Sequence, residues 1–532
     1  MSRFLLVVAV LLALPASAQA AFEVRSFTVT PTTLQAGSHP DVNVAIGFAP
    51  YSVASPPEHV RDLTISLPPG LVGNPNATPR CSATDFQADE CAANTRVGTT
   101  TVRTTIPALI TGITVNASGD VYNLRPGAGE PARLGVVVRP PLGASKVFLI
   151  TKIALRSTDG GLDSILNDIP STVTLPLLGQ SETWIESMNL TLLGRPAGAK
   201  QPFMTMPTSC RAATARLAAK SATGTAVTRA AAPFTPTACA RLPFKPQIGG
   251  SISADGLPSL RTVITGPPDN ANTAGAVVTL PAGVAVNTPS IGNACTLPQQ
   301  AAGPCPATAR VGTAVAQSPL LPALTGPVFL AELPGQPLPG VRVDLSGVVS
   351  LSLGGIVTTG KQLRTAFAGI PDVPLERFQL TFDDGIALLA AKDFCRGPLP
   401  RIAAELTGHN GAKVSLSEPL AVTGCHTPVA RLRVHKRKLV LRVRAARAGA
   451  ALKRVRLVLP RRLKAHPRRG HVRGGKLSRR GVLTVNAAGA RRITATLSRG
   501  AFTGKLGKKR RFLLRTVDVT GHPERQRIKA RR

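Results

Sequence analysis

Aromatic residues are scarce in this chain of 532 residues, which has one tryptophan, Trp184, and two tyrosines, Tyr51 and Tyr122. Proteins that hold sugars or unstacked bases present exposed ring faces, so a lectin-like platform or a base-stacking groove is disfavoured. Catalytic signatures are missing as well. The chain has no H-E-x-x-H, no G-x-S-x-G and no glycine-rich phosphate loop. Before residue 426 its only histidines are His39, His59 and His409. No C-x2-C pair occurs and no histidine recurs beside the cysteines, which argues against zinc. Asp383-Asp384-Gly385 lacks the rest of a calcium loop. The expectation is therefore a protein without enzymatic activity, metal or cofactor. Helical periodicity is also rare. The best candidate is "SCRAATARLAAKSA" (209–222), an insertion-like stretch between two cysteines.

Long apolar runs are confined to the start. "MSRFLLVVAVLLALPASAQA" places Arg3 before an apolar run over 4–14, followed by Pro15 and Ala18-Gln19-Ala20. This order describes a secretory signal peptide cut after Ala20. No later stretch is long and apolar enough to span a bilayer. The expected location is extracellular or on the cell envelope, where cysteines oxidise.

The cysteines carry the first internal symmetry. They stand at 81, 91, 210 and 239, then at 295, 305, 395 and 425. Eight cysteines allow about 105 pairings, but the repeated local spacing singles out Cys81–Cys91, Cys210–Cys239, Cys295–Cys305 and Cys395–Cys425. Other segments recur in the same order. "LTISLPPGL" (63–71) matches "VVTLPAGV" (277–284), "GDVYNLRPG" (119–127) matches "GPVFLAELPG" (326–335), and "IESMNLTL" (185–192) matches "LERFQLTF" (375–382). Copies this long are domains rather than solenoid turns. "CAANTRVGT" (91–99) and "CPATARVGT" (305–313) read as copied scaffold: Gly98 and Gly312 suit a turn or bulge, and Arg96 and Arg310 suit solvent or a nearby carboxylate.

Short alternating runs bounded by glycine, proline and asparagine, such as "VNVAIGF" (42–48), read as strands. With 49 glycines and 47 prolines, turns are frequent enough for sandwiches. The expected fold is all-β: tandem disulfide-bridged sandwich-like units over 21–243 and 244–427, then a basic immunoglobulin-like sandwich over 428–524 and a loose basic tail over 525–532.

Charge marks the third part. Residues 426–532 hold 34 of the 64 lysines and arginines but only Asp518 and Glu524 among the 27 acidic residues. In "ARLRVHKRKLVLRVRA" (430–445), apolar residues alternate with cations, and "KRVRLVLP" (453–460) and "RFLLRTVDVTG" (511–521) continue the pattern. Alternation turns one face outward, so Arg431, Arg433, Arg442, Arg444, Arg454, Arg456, Arg491, Arg492, Lys508, Lys509, Arg510 and Arg511 are expected to contact an anionic partner. Such a field favours anionic envelope polymer or lipid headgroups, with nucleic acid bound only non-specifically.

"LPPGLVGNPNATPRC" (67–81), a second cysteine and "RVGT" together resemble a group of large secreted repeat proteins of high-GC soil bacteria. The resemblance covers roughly 22–427. "LPAGVAVNTPSIGNAC" in the second copy departs from its Gly-Asn-Pro part. It implies export and a repeat-domain architecture, and it brings no catalytic residue. The expected function is an exported structural or adhesive protein held at the envelope. The alternative is a binding protein whose ligand sits between the two units.

Overall fold

The computed structural model describes residues 22–531 except 109–110, 142, 177, 225, 255–257, 384, 436–437 and 505–510. The signal segment expected over 1–20 lies outside the described residues, as do Asp384, Lys508, Lys509 and Arg510. Strand accounts for 52% of the structure, and no described helix reaches seven residues.

The first sheet contains β1 (Val24–Pro31), β2 (Val42–Phe48), β3 (Val60–Ser66), β4 (Arg96–Ala108), β5 (Thr111–Leu124), β6 (Ala132–Arg139), β7 (Val147–Leu155), β8 (Leu162–Leu166), β9 (Trp184–Leu192), β10 (Ala213–Ser221) and β11 (Val227–Phe234). Its spatial order is β1-β2-β9-β4-β5-β6-β7-β8-β3-β10-β11. The second contains β12 (Gln247–Ser253), β13 (Leu260–Thr265), β14 (Thr273–Thr279), β15 (Arg310–Gln317), β16 (Leu324–Ala331), β17 (Gly340–Leu345), β18 (Leu351–Thr358), β19 (Arg364–Phe367), β20 (Arg377–Phe382), β21 (Arg401–Gly408) and β22 (Lys413–Pro419). Its order is β12-β13-β20-β15-β16-β17-β18-β19-β14-β21-β22, with β23 (Ala421–Thr423) added beside β12. Each of the strands β12 to β22 thus occupies the place of the first-sheet strand numbered eleven lower, and β23 has no counterpart. The first unit also has a longer β4–β5 hairpin and a separate small hairpin, Thr172–Leu175 with Gly179–Glu182.

The sandwich-like expectation gives way to barrel-like sheets. Each of these two sheets is hydrogen-bonded throughout, and its ends meet: β1 lies beside β11, and β12 beside β22. Curling a long twisted sheet in this way brings its edge strands side by side. Alternation drives the curl's inner face. In β2, Val42, Val44, Ile46 and Phe48 are buried while the intervening residues are half-buried.

The stretch over 209–222 is not helical; its main part forms β10. Ala215, Leu217 and Ala219 are buried with Arg216 exposed between them, a period of two, and the strand is zipped to β3 and β11. Alanine's helix preference yields there to two ladders of backbone hydrogen bonds.

The third sheet contains β24 (Val429–His435), β25 (Lys438–Arg444), β26 (Leu452–Val458), β27 (Val482–Ala490), β28 (Arg492–Leu497), β29 (Arg511–Asp518) and β30 (Pro523–Arg531). The order is β28-β25-β24-β30-β29-β26-β27, flanked by the two-residue strands Val472–Arg473 and Lys476–Leu477. Among the described residues, two parallel pairs, Leu432↔Ala530 and Arg433↔Arg531, join its halves. The residues over 525–531 are therefore not a loose tail. They form most of β30, which pairs along its length with β29 and buries Ile528 opposite Phe512. One apolar core, including Leu441, Leu457 and Phe512, draws on both halves.

Candidate functional site

The third sheet sorts its side chains by parity. Leu439, Leu441 and Val443 of β25 point into the core, and Lys438, Arg442 and Arg444 are exposed. Antiparallel pairing places facing residues on one side of the sheet. On the first half, Arg431 stands opposite Arg442, and Arg444 opposite Arg492. On the second half, Arg456 of β26 faces Arg515 of β29, which faces Arg525 of β30. Arg511 is paired in register with Lys529, and Arg527 is exposed one step along β30. Arg433 and Arg454 are exposed on the respective faces. Exposed Arg433 pairs with exposed Arg531 across the join of the halves, so the sequence-expected residues lie on the outer face of one curled sheet.

Arg491 does not belong to this group. Its guanidinium donates to the carbonyls of Gly449 (2.9 Å) and Ala446 (3.2 Å), so it clamps the loop before β26. Sequence reading missed Arg515, Arg525, Arg527 and Lys529. The signal was present in "RQRIKA" (525–530), where cations alternate with uncharged residues as in any strand.

Like charges facing each other across a ladder are destabilising. Among the described residues no ion pair links any of these face cations to a carboxylate. Asp518 and Glu524 lie instead at the β29–β30 connection. Burial works to raise the Asp518 pKa, but hydrogen bonds from Thr520 and from the backbone N–H groups of His522 and Thr520 outweigh it and hold the carboxyl below its usual range. The two carboxylates are occupied with local turns and with His426 and His522, each 3.9 Å away.

The duplicated cysteine segments are scaffold by their geometry. Bridges join Cys81 to Cys91, Cys210 to Cys239, Cys295 to Cys305 and Cys395 to Cys425. Cys81 accepts from Arg125 N–H and donates to Asn123, and Cys295 does the same with Glu332 and Leu330. Each short bridge encloses one helix, α1 (Ala83–Ala88) or α2 (Leu297–Ala302), capped by Ser82 or Thr296. A bulge follows at Val97 and at Val311. There, a Cβ at Gly98 would strike the Thr191 carbonyl oxygen, and one at Gly312 the Thr381 carbonyl oxygen. Arg96 pairs with Asp120 at 3.1 Å, and Arg310 donates to the Gly312 carbonyl at 3.3 Å. Trp184 is buried, with its indole N–H on the Pro57 carbonyl and its ring against Tyr51 and His59, so it offers no open face.

The two barrel-like units touch through a buried carboxylate. Asp372, in the loop before β20, accepts from Thr208 N–H (2.8 Å), Thr208 Oγ1 (2.5 Å) and Asn272 Nδ2 (2.8 Å). Gly70 of the "LPPGL" motif holds φ +88° against it, where any Cβ would sit 2.6 Å from the Asp372 Oδ2. Among the described residues no cluster of three or more His, Cys, Asp or Glu could hold a metal, and no helix is long and apolar enough to cross a membrane.

No family model and no curated protein matches the sequence. Among solved structures, the chain is similar to Escherichia coli alpha-2-macroglobulin activated by porcine elastase, at 11% identity over 96% of this chain and 44% of that one, with a TM-score of 0.20. It thus spans less than half of that protein. A structure of manganese lipoxygenase of Gaeumannomyces graminis with part of zonadhesin of Komagataella pastoris gives 11% identity over 75% and 94%, TM-score 0.17. The major pilin subunit of Bacillus cereus gives 10% identity over 72% and 90%, TM-score 0.18. These scores lie far below those of shared folds.

Proposed function

We propose that this is an exported, non-enzymatic structural or adhesive protein, held at the cell envelope by the basic faces of its third sheet. The observation that carries the reading is the row Arg456–Arg515–Arg525, three facing guanidinium groups without carboxylate partners among the described residues. A sheet that keeps such a row accepts a destabilising arrangement, which an anionic polymer or layer of lipid headgroups would relieve. The four bridges fit an oxidising compartment. The matching strand orders of the first two sheets support descent from one duplicated unit, in keeping with the secreted repeat proteins of high-GC soil bacteria that the sequence resembles. The two-half third sheet, with its shared core, suits an immunoglobulin-like sandwich.

Binding of this kind sums many weak contacts. At about 0.15 M salt the screening length is about 8 Å, so only charges held near the surface contribute. Each neutralised phosphate releases counter-ions, giving a log–log salt slope of about −0.9 per contact on DNA. The full chain should sediment with anionic vesicles (phosphatidylglycerol in phosphatidylcholine) and with polyphosphate, and should leave both as salt rises. The triple variant R456Q/R515Q/R525Q should bind with a shallower salt slope. Retention that is indifferent to salt and to this variant would place attachment outside the basic faces.

A further inference from the structure

Beyond the basic faces, the joint between the two barrel-like units holds two adjoining hollows of opposite character. One is an apolar cavity of about 140 Å³, walled by Ile153, Leu155 and Leu162 from the first unit and Leu321, Leu324 and Leu351 from the second. An apolar cavity of about 150 Å³ stays dry and takes up benzene, so this one accommodates one aromatic ring or about six carbons of chain. The other is a cleft of about 350 Å³ into which Arg195, Lys200 and Lys245 reach. None of these three forms an ion pair among the described residues, and all are exposed. The acidic side chains lining the same cleft are Asp269, already 3.6 Å from His39, and Glu376, which leaves an excess of positive charge.

The hollows adjoin. Leu320, Pro374 and Leu375 line both, and the loop carrying Pro374 is the one pinned by buried Asp372. The wall between polar and apolar compartments is thus anchored by hydrogen bonds across the units rather than left free. Ligand sites commonly combine an apolar body with a few converging polar groups in about 300–1,000 Å³.

We infer that the joint between the units binds a single-chain anionic amphiphile, with its carboxylate or phosphate head among Arg195, Lys200 and Lys245 and its apolar tail between Leu155 and Leu324. The site is separate from the basic third sheet, and the inference does not depend on envelope attachment.

Calorimetric titration of the full chain tests it. Octanoate and octyl phosphate, which separate the two head chemistries, should include at least one that binds at one per chain. 1-Octanol should bind at least tenfold more weakly, and acetate should not bind. S350W, which places a ring at the mouth of the apolar cavity from an exposed position, should lower octanoate and octyl phosphate affinity at least tenfold. R195E/K245E, also at exposed positions, should lower affinity for the charged amphiphiles about tenfold and leave 1-octanol unchanged. R456Q/R515Q/R525Q should leave all of these affinities as they were. The inference is overturned if neither charged amphiphile binds in the millimolar range, or if binding follows the third-sheet variant instead of S350W and R195E/K245E. Overturning it would leave the hollows as packing gaps.

Discussion

Thr208 and Asp372 are joined across the two units by two hydrogen bonds at once, the hydroxyl at 2.5 Å and the backbone N–H at 2.8 Å. Asp372 is 3% exposed, and its partners there among the described residues are hydrogen-bond donors. A carboxylate is acceptor-only, and Thr208 and Asn272 supply donors.

Removing the acceptor should therefore cost more than one contact. D372A leaves the buried Thr208 N–H without a partner, at about 1–3 kcal/mol, and frees the half-buried Asn272 amide as well. Melting of the first two units should lose its coupling, and proteolysis should cut first near 243–247. D372N turns an amide toward the Thr208 donors and should recover little. Unchanged melting for D372A would mean that the units are held by apolar contact alone.

The four bridges should behave as two kinds. In the chain-entropy picture, closing about 10 residues contributes about 2.7 kcal/mol and closing about 30 contributes about 3.6 kcal/mol. C395S/C425S should thus lower stability somewhat more than C295S/C305S in denaturant titrations. Non-reducing peptide mapping should recover Cys81 with Cys91 and Cys295 with Cys305. A peptide linking Cys91 to Cys305 would contradict the two-unit arrangement.

Glycines at the bulges should resist substitution where glycines elsewhere do not. G98A and G312A force a Cβ against a neighbouring strand's carbonyl and should each cost about 2 kcal/mol or more, as overpacking does. G249A, in β12, meets nothing within 4 Å and should be near neutral. Equal effects at the three positions would remove the close-approach argument.

Acid should weaken the first unit through its paired carboxylates. The Arg139 hydrogen bond, with Lys146 behind it, holds Asp89 below the usual carboxylate range despite burial, and Arg61 and Arg133 do the same for Asp62 and Glu130. A carboxyl whose pKa is lower folded than unfolded adds stability that is fully present above the unfolded value, about 3.9–4.3. That stability is lost as pH falls through the folded value. Thermal midpoints should hold from pH 7 to about 5 and fall below 4, and D89N should flatten the fall. A midpoint that rises on acidification would reverse the sign.

Charge reversal inside a basic row should separate stability from binding. R515E places an anion between Arg456 and Arg525, replacing two repulsive pairs by attractive ones worth about 0.2–1 kcal/mol each. The third sheet should melt later at low salt while polyphosphate binding weakens. Loss of both together would mean that Arg515 is packed rather than poised for a partner.

Much of this was written in local pattern. The cysteine spacings, the order of matching segments and the alternation around Leu439, Leu441 and Val443 each depend on residues a few positions apart. A side chain's face in a strand follows from parity alone, so Arg431, Arg442 and Arg456 were legible as outward cations. Arg491 was not, because its partners Gly449 and Ala446 lie more than 40 residues away, and a clamp on a distant loop leaves no local mark. The β10 strand and the β30 strand were missed for a related reason. Each borrows its stability from neighbours on both sides, β3 and β11 for one, β24 and β29 for the other, and its own residues carry weaker or conflicting preferences.

The sequence by itself determined the strand-rich composition, the duplicated cysteine framework and the concentration of positive charge in the last hundred residues, because each is a matter of residue type and spacing. Only the tertiary structure decided that the sheets of the first two units curl until their edges meet, that the cations gather on the outer face of the third sheet, and that Asp372 ties one unit to the other beside a cleft and an apolar cavity. Those outcomes depend on pairings between residues far apart in the chain. Backbone ladders and buried donors settle such pairings only when the whole sheet closes.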